Sequence, residues 1–376
     1  MSPRALDPRH ARVVICCGSG GVGKTTASAA LALKWAIAGQ RVAVLTIDPA
    51  RRLADSLSIG EIGNTPVRVP IERIAPHATG RLDAMMLDAK ATFDDLVRRL
   101  AVSDTSATRI LENRYYQFTS TRLGGSHEYM AMERLYDLWH SGLYDVVVLD
   151  TPPTRHALDF LRAPDRMASL MDEGVLRWLV MPASRSGWRA LELGSEAVSR
   201  VLKRVMGRGT ISEIAEFFEV FRDLWEGFHG RSVQVQSLLR DRRTTFLLVS
   251  SPSPAARGDA LFFLDKLHEQ ALPFGGFLVN RTVGIPQQSL RPEELPTQGP
   301  LPADRWAAVL ATIQQAPLLR TRLAQDHAQA VAALRSAGPA GAPCWCVPEQ
   351  RQDLHDLPGL AAIGAFLPDE RSVRPL

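Results

Sequence analysis

Cysteine is scarce, with four in 376 residues, which is too few for a disulfide framework and predicts a reducing compartment. No stretch approaches the roughly 18 consecutive apolar residues that a membrane-spanning helix needs. Met1 to Arg12 is polar and basic without an apolar signal core. The expectation is a soluble, cytoplasmic protein that does not itself span a membrane. Long lysine or arginine runs are missing too: the net charge of +4 is mild, and Arg185, Arg189, Lys203, Arg204 and Arg208 are scattered along helical stretches. Nucleic acid is therefore not expected as a partner. No internal repeat is evident. At 45% hydrophobic content the chain can bury a large core, as one domain with an insertion or as two domains.

What is present begins with Gly18-Ser19-Gly20-Gly21-Val22-Gly23-Lys24-Thr25, a complete GxxxxGK[ST] loop directly after the apolar run Val13 to Cys17. The glycines let backbone N–H groups converge on phosphates, Lys24 can reach the β and γ phosphates, and the Thr25 hydroxyl can ligate magnesium. A lone glycine-rich turn is often loop punctuation, but here the required context surrounds it. A strand precedes the loop, and a helix of good formers runs from Thr26 to Ala38 and stops at Gly39.

Short valine-rich runs recur between helical stretches: Val13–Cys17, Val42–Ile47, Val146–Leu149, Thr245–Ser250, Gly276–Val279 and Cys344–Val347. Continuously apolar strands of this kind suit a doubly wound, mostly parallel α/β sheet covered on both faces. The alternation fails twice, at about 89–141 and 165–241, where the pattern is helical. The expected organisation is a single phosphate-loop domain over 1–376, with an all-helical subdomain inserted in those two pieces and a sheet core at 11–88, 142–164 and 242–376. Val283 to Pro302 reads as a surface loop. Within the second helical piece, Ile211, Ile214, Phe218, Phe221, Trp225 and Phe228 follow helical spacing, widened by Phe217 and Leu224. This stripe suits either a helical core or a groove for an apolar client.

Two aspartates end apolar strands. Asp48 follows Val42–Ile47, and Asp150 follows Val146–Leu149 and leads into Thr151-Pro152-Pro153. In doubly wound sheets ligands sit at the carboxyl ends of the strands. Asp150 therefore suits the carboxylate that holds magnesium through water, and Asp48 suits orienting or deprotonating the attacking water. Both loops can rearrange when a γ phosphate leaves. Cys16 and Cys17 are adjacent on the first strand. Cys344 and Cys346, two apart, share one face of a strand, where they bind a metal shared across a dimer or simply pack.

With these motifs the chain resembles the arsenical pump-driving and tail-anchored-protein targeting ATPases, dimeric members of the deviant phosphate-loop class. The matching segments are GSGGVGKTT at 18–26, TIDPAR at 46–51, GGSHEYMAM at 124–132, DTPPTRHALDFL at 150–161, LVNR at 278–281 and VPEQRQDLHDLPGL at 347–360. The resemblance implies ATP and magnesium as cofactors, with Lys24 on phosphate, Thr25 on the metal, Asp48 positioning water in the first switch and Asp150 opening the second. It implies that Asn280 reads adenine, with the segment around Pro348 on the other side of the base. The implied nucleotide-binding set is Gly18, Ser19, Gly20, Gly21, Val22, Gly23, Lys24, Thr25, Thr26, Asn280, Arg281 and Pro348. Glu128 is implied to lie near a dimer interface or helical gate.

The resemblance also implies an ATPase that works as a homodimer or as a heterodimer with a paralogue, its helical subdomain moved by nucleotide state to bind an apolar protein or peptide client. The alternatives are a subunit energising an anion or metalloid transporter through a membrane-protein partner, or a catalytically weak regulatory partner of a lysine-bearing paralogue. The last arises because Ser19 stands where the family's signature lysine reaches across the dimer. A serine supplies no long cationic contact, and Arg51 or Arg52 is the local substitute. Residues 89–241 contain no cysteine, which speaks against direct arsenite binding, and the zinc-binding CxxC is absent.

Overall fold

The computed structural model describes residues 11–48, 50, 52–114, 116–117, 120, 126–153, 224, 227–285, 302–350 and 356–368. Its centre is one eight-stranded sheet in the order β3-β4-β2-β5-β1-β6-β7-β8. The strands are β1 Val13–Cys17, β2 Arg41–Thr46, β3 Val67–Arg68, β4 Arg81–Met86, β5 Val146–Asp150, β6 Thr244–Ser250, β7 Phe274–Thr282 and β8 Cys344–Pro348. Every neighbouring pair is parallel except β3 with β4. The six expected strands are present; β1 has the expected ends, and each of the other five differs by a residue or more at one end or both.

The strands β1, β5 and β6 are buried along their whole length, which is why they read as unbroken apolar runs. Alternation sorts their side chains to two cores. Val13, Ile15 and Cys17 face one layer, and Val14 and Cys16 face the other. The second layer is formed by helices α1 (Lys24–Ile37) and α2 (Arg52–Ser56) together with the C-terminal helix α8 (Leu357–Gly364). Alanine at 27, 29, 30, 32 and 36 lets α1 lie close against the sheet. The Lys34 ammonium donates to the carbonyls of Gly364 and Leu367, at 2.9 and 2.8 Å, and so ties α1 to the end of α8.

Helices α3 (Ala89–Leu100), α4 (Asp104–Glu112) and α5 (Ser126–His140), helical residues 227–240, α6 (Pro254–Glu269) and α7 (Ala303–Ala337) are the further helices among the described residues. Asp88, Ser103, Ser253 and Asp356 cap the N-termini of α3, α4, α6 and α8 with their side chains. On the first layer Phe228 meets Phe93 edge-on, with centroids 5.6 Å apart, and Leu224 and Phe228 are fully buried. For those two residues the apolar stripe is core. The rest of the stripe, residues 165–223 as a whole and most of the expected 283–302 loop lie outside the described residues.

A salt-bridge network crosses the base of this layer. Glu133 on α5 is fully buried and accepts from Arg231 Nε at 2.7 Å and from Arg99 Nη2 at 3.3 Å. Asp137, one turn later, bonds both arginines as well. Burial pushes the Glu133 carboxyl above its ordinary range, against the pull of Arg231.

Strand β4 escaped the sequence pattern because Asp83 interrupts its apolar residues. This carboxylate is fully buried, accepts from Arg81 Nε at 2.8 and 2.9 Å, and accepts from the Tyr144 hydroxyl at 2.8 Å. Among the described residues no helix is long and apolar enough to cross a membrane.

Candidate nucleotide site

The phosphate loop leaves β1 and enters α1 under tight steric control. A Cβ on Gly18 would stand 2.1 Å from the Val249 carbonyl oxygen, so the loop's first residue presses directly on β6. Gly23 has φ +92°, and a Cβ there would meet the Asn280 amide nitrogen at 2.3 Å. Gly23 is also the N-cap of α1 and offers no side-chain oxygen, and the first turn carries no acidic residue. The orphan N–H groups of this turn therefore face the loop unneutralised, as an anion site requires.

Lys24 is buried, and its ammonium donates to the Ser19 carbonyl at 2.9 Å. Burial lowers its pKa, with Asp150 acting in the opposite direction. Ser19 and Thr26 are half-buried, and Gly20 and Gly21 are exposed at the mouth. Asp150 is 1% exposed, and its Oδ2 accepts from Thr25 Oγ1 at 2.7 Å and Thr46 Oγ1 at 3.0 Å. Its other oxygen, Oδ1, is buried without a partner. Burial pushes this carboxyl up to about 6, against the hydrogen bonds from Thr25 and Thr46 and the Lys24 charge. A buried carboxylate with one orphaned oxygen, hydrogen-bonded to the threonine that follows the loop lysine, is a donor set that fits a hard divalent cation reached directly or through water.

The Asp48 carboxylate is half-buried; Oδ1 accepts from the Ala50 N–H at 2.9 Å, and Oδ2 lies 3.6 Å from Arg52 Nη1. The Asp48 N–H donates to Thr46 Oγ1 at 3.2 Å. Thr46 and Asp150 are register partners across β2 and β5, which brings the ends of the two Asp-bearing strands together. Sequence reading carried Thr46 only inside the expected strand Val42–Ile47 and the TIDPAR match, with no role of its own. The available signal was a hydroxyl two positions before Asp48, on the same face of an extended chain.

Asn280 comes to the loop from β7. Its Nδ2 donates to the Val22 carbonyl at 2.9 Å, and its Oδ1 accepts from the Arg281 N–H at 2.9 Å. Arg281 is exposed and left-handed, with φ +58°. Pro348, half-buried at the end of β8, is the register partner of Thr282. Asn280, Arg281 and Pro348 thus cluster at the carboxyl ends of adjacent strands. Arg51 lies outside the described residues. Glu128, in the first turn of α5, is half-buried with Oε2 unpartnered. Cys344 and Cys346 share one face of the edge strand β8, and the adjoining Cys344 thiol and Arg335 lower Cys346 to about 7. Among the described residues no cluster of three or more metal-ligating side chains exists.

Comparison with known proteins agrees with this arrangement. Residues 11–289 match the family model described as anion-transporting ATPase. A protein of Chlorobaculum tepidum, provisionally named an arsenical pump-driving ATPase, is 30% identical over 178 residues, covering 46% of this chain and 41% of that protein. The ATPase GET3 of Malassezia globosa is 29% identical over 159 residues, 42% of this chain and 44% of that protein. The ATPase ARSA1 of Chlamydomonas reinhardtii is 25% identical over 300 residues, 74% of this chain and 36% of that protein. The matches to these relatives span less than half of the relatives' own lengths.

Proposed function

The chain belongs to the anion-transporting ATPase family, and on that premise we propose that it binds ATP with magnesium and hydrolyses it to ADP and phosphate. One observation carries the reading. The buried Asp150 carboxylate is bonded to the Thr25 hydroxyl at the open N-terminus of α1, with one oxygen left free of any partner.

The roles follow from chemistry. Backbone N–H groups of residues 18–23 and the first turn of α1 receive the phosphates. Lys24 exchanges the Ser19 carbonyl for phosphate oxygens. Thr25 and Asp150, the latter through water, hold magnesium, which when bound neutralises charge on the β and γ phosphates. Asp48 orients the water that attacks the γ phosphorus as the bond to the ADP oxygen breaks. Asn280, Arg281 and Pro348 flank the adenine, which is supported by their shared position at the ends of β7 and β8.

The chain acts as a dimer, either with a second copy or with a paralogue. Arg52, exposed and 3.6 Å from Asp48, supplies the cation that Ser19 lacks. Nucleotide state moves the helical insertion, residues 89–141 and 165–241, and presents an apolar surface to a protein or peptide client. The support is connectivity, because β4 and β5 lead from the site into its two pieces. The names of several relatives favour a pump-driving role as a second reading. Arsenite as its ligand is disfavoured, since residues 89–241 hold no cysteine.

Binding of a fluorescent ATP analogue together with phosphate release tests the proposal. Lys24→Ala loses binding, and Asp48→Asn keeps binding and loses hydrolysis. Undiminished turnover in Asp48→Asn removes Asp48 from the chemistry.

A further inference from the structure

Among the described residues, Thr46 is the one hydroxyl shown to link the two Asp-bearing loops. It donates to Asp150 Oδ2 at 3.0 Å, on β5, and accepts from the Asp48 N–H at 3.2 Å, in the loop that leaves β2. The residue is 1% exposed, so both bonds are shielded from bulk solvent. A parallel backbone bond, from the Ile47 N–H to the Asp150 carbonyl at 3.2 Å, holds the strand ends in register without the side chain. The hydroxyl is therefore not needed to pair β2 with β5. Its specific effect is to fix where the Asp48 loop begins relative to the Asp150 carboxylate.

We propose that Thr46 is a positioning residue that couples the cation-holding end of the site, Asp150 and Thr25, to the water-orienting loop of Asp48. The inference rests on the ATPase reading above. A change in what Asp150 Oδ2 must share with Thr25 is passed through the Thr46 hydroxyl to the backbone of Asp48. No contact with nucleotide is required of Thr46. Valine at this position keeps the shape and the β-branch but removes both bonds, whereas serine keeps the hydroxyl.

The experiment compares wild type, Thr46→Val and Thr46→Ser in two assays on the full chain. The first is affinity for a fluorescent ATP analogue with magnesium and with a chelator. The second is phosphate release. Thr46→Val is expected to bind the analogue in chelator within about twofold of wild type, to lose most of the gain in affinity that magnesium confers, and to hydrolyse about tenfold or more slowly, with Thr46→Ser restoring both. Thr46→Val matching wild type in both assays overturns the proposal. So does equal loss in Thr46→Val and Thr46→Ser, or loss of analogue binding in chelator, since either marks Thr46 as a packing residue. If wild type binds the analogue but releases no phosphate, the ATPase reading fails. The magnesium-dependent affinity then still decides the role of Thr46.

Discussion

Replacing Arg231 with methionine tests the buried-charge term in the stability of the helical layer, and it also removes the bond to the partly exposed Asp137. Methionine keeps an unbranched stem near the Tyr136 ring, over which the guanidinium sits 4.2 Å from the centroid. It removes the donor that reaches Glu133 at 2.7 Å and leaves that fully buried carboxylate with Arg99 at 3.3 Å. Breaking a buried pair by deleting one partner typically costs about 3–5 kcal/mol. The carboxyl has an escape, because it can take up a proton instead of remaining charged. Protonation of a group with an ordinary pKa of about 4.3 costs about 1.4 kcal/mol per pH unit, so the ceiling from Glu133 is about 3.7 kcal/mol at pH 7 and about 1 at pH 5.

The sign follows from proton binding. With its folded pKa raised further, Glu133 binds more protons in the native state than in the unfolded one, so the variant loses stability as pH rises above the unfolded value. Burial already raises this group in the wild type, which brings the true loss below the ceiling. Urea denaturation followed by tryptophan fluorescence at both pH values reads the difference. A loss of about 2–3 kcal/mol at pH 7 that shrinks to less than about 1 at pH 5 is expected. An equal loss at the two pH values refutes the reasoning, because the buried charge would then not be its source.

Two further changes probe the site's framework. Gly23→Ala forces a side chain into a left-handed position, costing about 1–2 kcal/mol, and drives it into Asn280. Nucleotide binding and stability are both expected to fall, with partial recovery of stability in Gly23→Ala/Asn280→Ala measured by chemical denaturation; no recovery of stability removes the Asn280 clash as the cause. Lys34→Met deletes both bonds to the end of α8, and chemical denaturation should report a loss of about 1–3 kcal/mol with nucleotide affinity unchanged.

The parts of the site written as contiguous motifs were legible in the sequence. Gly18 to Thr25, and aspartates at the ends of apolar strands, announce phosphate chemistry because backbone geometry and strand direction alone place them. Contacts made by folding were not legible. Asn280 lies 258 positions from Val22, yet its amide braces that carbonyl, and nothing local to either residue encodes the bond. Thr46 is strand, as its place inside a valine-rich run indicates, but the role of its hydroxyl gains meaning only from Asp150 across the sheet. Strand β4 was hidden for the opposite reason. Its buried Asp83 reads as a surface residue until Arg81 and Tyr144 are seen to satisfy it.

The central claim is that the chain turns over ATP with magnesium and does so with serine, not lysine, at position 19 of the phosphate loop. Steady-state phosphate release by the purified chain, over a range of protein concentrations and beside Ser19→Lys and Arg52→Ala, tests it most directly. The account predicts magnesium-dependent turnover in wild type, with specific activity rising with protein concentration as the dimer forms, and loss of turnover in Arg52→Ala. ATP binding without turnover in wild type, with activity appearing only in Ser19→Lys, contradicts it and makes the chain the silent partner of a lysine-bearing subunit.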